Sequence, residues 1–330
     1  MTIGTLNEIL DKIHTVHAGL IGDFCLDIYW LADMSKSELS KETPHFPLPI
    51  VQERVAPGAA GNAAANMAAL TPASLECIGV RGKDWRGALL ENALQEKGVR
   101  ASLLLTPERW TYAYCKPLRK GISDAVYEDP RLDFAPLSPL DDTVEATIMQ
   151  KLDNLSSSLD ILAVSDQFEN GIITKPIREK LNALAEDGLK IIVDSRYHIN
   201  QYRNVFLKPN ESECAASVHL NTIATPEENA RELARQCHAT VIETLGEKGA
   251  LITDGSYAKS VPAFAVKGET DICGAGDTFL AAMALAVGAG FNLLVCAEFA
   301  ALASAVTIQK IGQTGTAAGE EMIALFCENF

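Results

Sequence analysis

Short apolar runs with strand character alternate with helical runs along most of this 330-residue chain. Residues 17–21, 74–80, 159–164, 190–193, 205–208 and 240–244 read as strands. Helices are expected over 6–16, 61–70, 85–97, 174–187, 226–237, 275–287 and 293–309. A crossover helix between two strands lets them lie parallel, with both sheet faces covered. The alternation therefore predicts an α/β fold with a mostly parallel central sheet flanked by helices. Two stretches break the rhythm, about residues 28–56 and 109–132. The first holds Leu48-Pro49-Ile50-Val51 and the second Thr111-Tyr112-Ala113-Tyr114-Cys115-Lys116. Both read as extended strands, either paired as a small antiparallel lid inserted in a single domain, 1–330, or running as loop excursions.

Charge narrows the partners. The net charge is −15 and the pI about 4.9. An acidic surface repels phosphate backbones and anionic lipid, so neither nucleic acid nor a membrane is the expected partner. The eight cysteines show no Cys-x-x-Cys spacing and read as reduced thiols, which fits a cytoplasmic protein. The N-terminal run is an amphipathic helix, not a signal sequence, and the apolar run 279–289 is too short to span a bilayer.

The chemistry concentrates at Asp271-Ile272-Cys273-Gly274-Ala275-Gly276-Asp277-Thr278-Phe279, directly before an apolar helix. The first amides of a helix lack intrahelical partners and carry partial positive charge. Small residues there let an anion approach, so Gly274, Ala275 and Gly276 read as an anion seat. Asp277 sets a carboxylate beside it, as phosphoryl transfer to an alcohol requires. Helix capping by Asp277 is the plainer alternative. No Gly-x-x-x-x-Gly-Lys-Ser/Thr occurs, and the third glycine of a dinucleotide fingerprint is missing.

Other clusters admit two readings each. Asp23 and Asp27 leave the first strand, where parallel sheets bind ligands, but turns also use Asp. The run from Pro57 to Asn66 opens a helix of tiny residues. Gly58 and Asn62 there could admit and grip a diol, or the run could pack tightly. Asn210 and Glu213 stand three apart, which suits either a hydrated magnesium ion or a helix cap. Thr244, Gly246 and Gly249 end a strand in a turn that could cover a nucleotide or close a hairpin.

Taken together and in this order, these motifs resemble the ribokinase-like (PfkB) carbohydrate kinases. Residues 57–66 resemble the first family signature, and 271–279 the second, with Asp277 in the place of the catalytic base. Asn210 and Glu213 match its Asn-x-x-Glu motif and Thr244-Leu245-Gly246 its nucleotide turn. Residues 22–30, 40–47, 131–134 and 164–166 are most similar to the kinase module of ADP-heptose synthesis. Departures are Ala59 for a glycine, Ile272 and Cys273 for hydroxyl residues, Tyr114 for Lys, and Ala301 for a polar residue near adenine.

The resemblance implies ATP and Mg2+ as cofactors, with K+ held near Asp271 and the Lys310-Ile311-Gly312 turn. It implies a sugar or sugar phosphate held by Asp23, Asp27, Asn62 and Asp166, and ATP along Asn210, Thr244 and Gly246. Lys116, with Arg54, Arg119, Lys120 and Arg131, is the expected anchor for a substrate phosphate. A homodimer through the lid is expected from its apolar strand edges. The alternatives are a nucleoside or other ring-alcohol kinase of the same fold, and a non-catalytic sugar sensor.

Overall fold

The computed structural model describes all residues except 102, 107, 122–124, 219–223 and 330. In chain order the strands are β1 (His17–Gly22), β2 (Phe24–Asp33), β3 (Ile50–Ala59), β4 (Ser74–Ile78), β5 (Val80–Gly82), β6 (Leu104–Thr106), β7 (Tyr112–Lys120) and β8 (Val126–Glu128). They continue as β9 (Leu132–Phe134), β10 (Ile161–Asp166), β11 (Ile191–Ser195), β12 (Phe206–Leu207), β13 (Thr240–Thr244), β14 (Ala250–Thr253) and β15 (Ala258–Val261). The helices are α1 (Ile3–Ile13), α2 (Ala60–Ala69), α3 (Trp85–Glu96), α4 (Asp142–Ser156), α5 (Lys175–Glu186), α6 (Glu211–Ser217), α7 (Pro226–Cys237), α8 (Ala275–Gly288), α9 (Leu293–Thr307) and α10 (Gly319–Asn329).

The main sheet has the order β15-β14-β13-β12-β11-β10-β1-β4. From β4 to β13 every pairing is parallel, whereas β14 and β15 are antiparallel. The sheet is therefore mixed at one edge, because β13 turns back through a tight hairpin instead of a crossover helix. Side chains alternate across the strands. Ala18, Leu20, Ile161 and Ala163 join a core with α8 and α9, while Ile21, Leu162 and Val164 join a second core with α5 and α7. That two-sided burial explains why α8 is buried from Thr278 to Val287 without a polar face. Start signals behave as their chemistry dictates: Thr225 and Glu228 form a capping box at α7, with Pro226 in the first turn. No described helix is long and apolar enough to cross a membrane.

The expected run 74–80 divides at Gly79. A Cβ on Gly79 would lie 2.3 Å from the Phe24 ring, and β5 leaves to pair with β6. The lid is a second sheet, ordered β3-β2-β7-β8 with β9 also on β7. It is not antiparallel throughout: β2 pairs antiparallel with β3 but parallel with β7. The reason is the chain path. β2 leaves the main sheet after Asp23 alone, β3 returns to α2, and β7 starts outward again from the domain side. The lid begins at Phe24, earlier than expected, and a short 3-10 turn at Met34–Lys36 interrupts the first segment. Residues 122–124 of the second expected lid segment lie outside the described residues.

Candidate active site

Helix α8 starts at Gly274, its N-cap, whose φ of 79° is left-handed. A Cβ at that position would lie 2.6 Å from Asn62 Nδ2, so both the backbone and the space require glycine. Ala275 N–H donates to Ile272 O at 3.1 Å, which removes it from the three amides expected in the seat. Those of Gly276 and Asp277 have no acceptor among the described residues. They are the orphan donors of the helix start, in its positive field.

Asp277 is partly exposed, and its Oδ2 accepts from Asn62 Nδ2 at 2.9 Å. Its pKa is raised to about 7, first by removal from water and then by Asp194 and Asp27, against the lowering effects of Asn62 and Lys208. The carboxyl is thus not the acid of pKa near 4 that a solvated Asp would be. Asn62 is delivered by α2, whose alanines bring it against α8. One turn on, Asn66 Oδ1 accepts from Thr278 Oγ1 at 3.1 Å and from Ala317 N–H at 3.2 Å. Tight packing and site geometry are here one device. Ala59, which precedes α2, takes φ 49°, the conformation that explains the glycine usual at this position.

Two residues not singled out in the sequence complete the seat. Lys208 Nζ lies 2.9 Å from Asp194 Oδ2, both buried, and 3.8 Å from where a Cβ on Gly276 would be. Burial alone would discharge Lys208, but Asp194 holds its pKa above the ordinary value. Both residues stand where β11 and β12 end, the position at which parallel sheets bind ligands. Asn210 and Glu213 follow directly and form a reciprocal capping box on α6, each bond 2.9 Å. Burial raises the Glu213 pKa first, Asp194 adds to it, and Lys208 and Arg196 oppose it. Asn210 forms a β-bridge with Thr244, which carries the 245–249 turn alongside. That turn is a hairpin between β13 and β14, with Gly246 at φ 58° and Gly249 at φ 93°.

The lid supplies the opposite wall. Asp27 is buried, 3.9 Å from Lys116 Nζ, which in turn donates to Tyr29 Oη at 3.1 Å. Gly58 makes room for this: a Cβ there would lie 3.0 Å from Asp27 Oδ2. Burial raises the Asp27 pKa, with Lys116 and Arg131 opposing. Tyr112 stacks on Phe168 with centroids 3.8 Å apart, and Tyr114 meets Phe168 edge-on at 5.9 Å. Arg131 lies over Tyr114 and is held by Asp133. Arg119 pairs with Asp129 and Lys120 with Asp33. Arg54 donates instead to Gly312 O.

Asp23 and Asp166 are committed to partners within the protein. Asp23 accepts the backbone N–H groups of Gln167, Phe168 and Ile172 at 2.9, 2.9 and 2.7 Å. Asp166 Oδ2 accepts from Ser195 Oγ at 2.7 Å and Tyr202 Oη at 2.9 Å, with Arg178 at 3.9 Å. Both are 1% exposed. They fasten loops behind the cleft. A strand-end Asp is equally suited to either task, so spacing alone does not separate them.

On the far side of the seat, Ser304 Oγ donates to Ala275 O at 3.2 Å. One turn earlier on α9, Ala301 lines a cleft of about 310 Å³ with Pro262, Ala263, Ala265 and Glu298.

Known proteins resemble this chain. A sequence profile described as pfkB family carbohydrate kinase matches residues 141–318. The bifunctional protein HldE of a Nitratiruptor species is 29% identical over 308 residues, covering 92% of this chain and 63% of that protein. The chain thus spans under two thirds of that relative's length. Phosphofructokinase-2 from Escherichia coli in complex with fructose-6-phosphate superposes with a TM-score of 0.72 at 21% identity, covering 95% of this chain and 99% of that one. The same enzyme in complex with potassium gives 0.74 at 20% identity over the same shares. These structures share the fold, and the profile takes in more than half of the chain, including the Asn210 cap and the Gly274 turn. The chain belongs to the pfkB family of carbohydrate kinases, phosphotransferases that act on a hydroxyl acceptor.

Proposed function

We propose that the chain transfers the γ-phosphoryl group of ATP to a hydroxyl of a sugar phosphate, with a heptose phosphate as the leading acceptor. One observation carries the reading: the Asp277–Asn62 pair stands beside two open amides at the start of α8. The acceptor would lie under the lid against Asp27 and Asn62, with its hydroxyl facing Asp277. A carboxyl with a pKa of about 7 is substantially ionised near neutrality and can take the hydroxyl proton late, as the bond from acceptor oxygen to γ-phosphorus forms. The bond from γ-phosphorus to the β–γ bridging oxygen breaks, and ADP leaves. The Gly276 and Asp277 amides and Lys208 meet the charge on the moving group.

Asn210 and Glu213 spend their side chains on the α6 cap, so only a water-mediated contact with Mg2+ fits them. When bound, the ion would screen the phosphates. The purine would occupy the cleft beside Ala301. Asp271 accepts from Gly312 N–H at 2.8 Å, so the two loops expected to hold K+ are adjacent, and a related enzyme has been solved with potassium. The same reading has the chain cytoplasmic and dimeric along β3, with small molecules rather than nucleic acid or membrane as partners.

Lys116, half-buried 3.9 Å from Asp27, and the resemblance to the kinase module of ADP-heptose synthesis support a phosphorylated acceptor. The Tyr112–Phe168 wall supports a second reading, a nucleoside or other ring alcohol. A sensor would need neither the open amides nor Asp277. ADP release measured over neutral sugars, their terminal phosphates and nucleosides separates these. Sugar phosphates are expected to turn over fastest. Faster turnover of nucleosides or neutral sugars would overturn the sugar-phosphate reading.

A further inference from the structure

One row of side chains joins the lid to the anion seat, and of it the proposed chemistry uses only Lys116. Arg54, Tyr29 and Lys116 are cross-strand neighbours on β3, β2 and β7. The Arg54 guanidinium lies 4.6 Å from the Tyr29 ring centroid and Lys116 Nζ lies 4.7 Å from it, so the ring is held by two cations. The Tyr29 hydroxyl reaches Cys273 Sγ at 3.9 Å. Arg54 Nη2 donates to the carbonyl of Gly312. Gly312 N–H donates to Asp271 Oδ2 at 2.8 Å, and Asp271 Oδ1 accepts from Cys273 N–H at 3.0 Å. Asp271 is anchored to the end of α9 by its own N–H, which donates to Ile308 O at 2.7 Å. Cys273 leads straight into Gly274. Two routes, through Tyr29 and through Gly312, therefore run from the lid to the same turn.

Charge distinguishes Arg54 from its neighbours. Lys116, Arg119, Lys120 and Arg131 each pair with a carboxylate of the lid itself. Among the described residues, Arg54 alone of these five reaches off the lid to the seat side. The contact is solvent-exposed, so its worth to global stability is small. Its effect is local, on which shape the 271–276 loop holds.

We propose that Arg54 is a positioning residue that, with Tyr29, couples the lid to the loop that forms the anion seat. The seat keeps its working shape while the lid lies down on it. This rests on the kinase reading, but its first test does not.

Amide hydrogen exchange of the ligand-free chain reads the coupling directly. Arg54→Ala is expected to speed exchange in residues 271–276 and 311–313 about fivefold, with β10 and β11 unchanged. Arg54→Lys is expected to restore part of the protection, since it can reach the carbonyl but not stack as a fork over Tyr29. Unchanged exchange in 271–276, or equal loosening of the whole chain, would overturn the coupling. With the best acceptor, Arg54→Ala is expected to lower kcat about tenfold, with ATP affinity in the absence of acceptor within about twofold of the original chain. A tenfold loss of ATP affinity with kcat unchanged would overturn the positioning role. Absence of turnover in the unmodified chain would defeat the proposed function, while the exchange result would still judge Arg54.

Discussion

Glu243 offers the sharpest test of how burial sets the energetics of this sheet. It lies on β13, one residue before Thr244, with no exposed surface. Neither carboxyl oxygen has an N–H or O–H partner among the described residues, and the Cys214 thiol beside it is only a weak donor. Burial raises its pKa from 4.5 to about 7, Glu211 adds to the rise, and Cys214 opposes it. Because the folded pKa lies above the unfolded one, the folded state holds the extra proton. The stability linked to it is complete below about pH 4.5, falls as pH rises toward 7, and is lost above that. A shift of that size corresponds to roughly 3 kcal/mol at about 1.36 kcal/mol per unit, and relaxation around the group lowers the expectation to about 1–3 kcal/mol. Glu243→Gln keeps the shape and removes the ionisation. Urea unfolding should therefore show the variant more stable by about 1–3 kcal/mol near pH 8, and nearly equal to the original near pH 5. Parallel stability curves across that range would refute the argument.

Three further outcomes are expected. Ala59→Gly should raise stability by about 1 kcal/mol, because Ala59 holds a positive φ that costs an L side chain energy; a lower urea midpoint would count against the strain. Lys116→Ala should raise the KM for a phosphorylated acceptor about tenfold or more, through loss of a charge-assisted contact, and leave neutral sugars little changed; equal effects on both would remove Lys116 as the phosphate anchor. Light scattering should give a mass of two chains, reduced to one by Ile50→Lys, since Ile50 and Val51 are exposed on the unpaired edge of β3; a one-chain mass for the original at all concentrations would rule out the lid dimer.

The fold was largely legible because local chemistry and tertiary burial agree. The alternating cores of β1 and β10 and the capped starts of α5 and α7 follow from residue type and period. The lid was legible as extended chain but not in its pairing, since parallel β2–β7 contacts depend on a return path through α2 and α3. At the candidate site, the close approach of the Gly274 turn to Asn62 was readable because it leaves few residue choices. Asp23 and Asp166 were misplaced because a strand-end carboxylate looks the same whether it faces a ligand or staples a loop. Apolar strand edges were expected of the lid, yet β7, which holds Tyr112 to Cys115, is interior to it and these residues are mostly buried. Lys208 and Asp194 were not assigned because they end separate strands, and only the parallel register brings them together.

The central claim is that Asp277 takes the acceptor proton beside an anion seat that binds ATP without it. Steady-state turnover of Asp277→Asn, with ATP affinity measured in parallel by calorimetry, tests this most directly. A loss of about 10²–10⁴ in kcat with ATP affinity nearly unchanged is expected. Turnover within a few-fold of the original chain would contradict it.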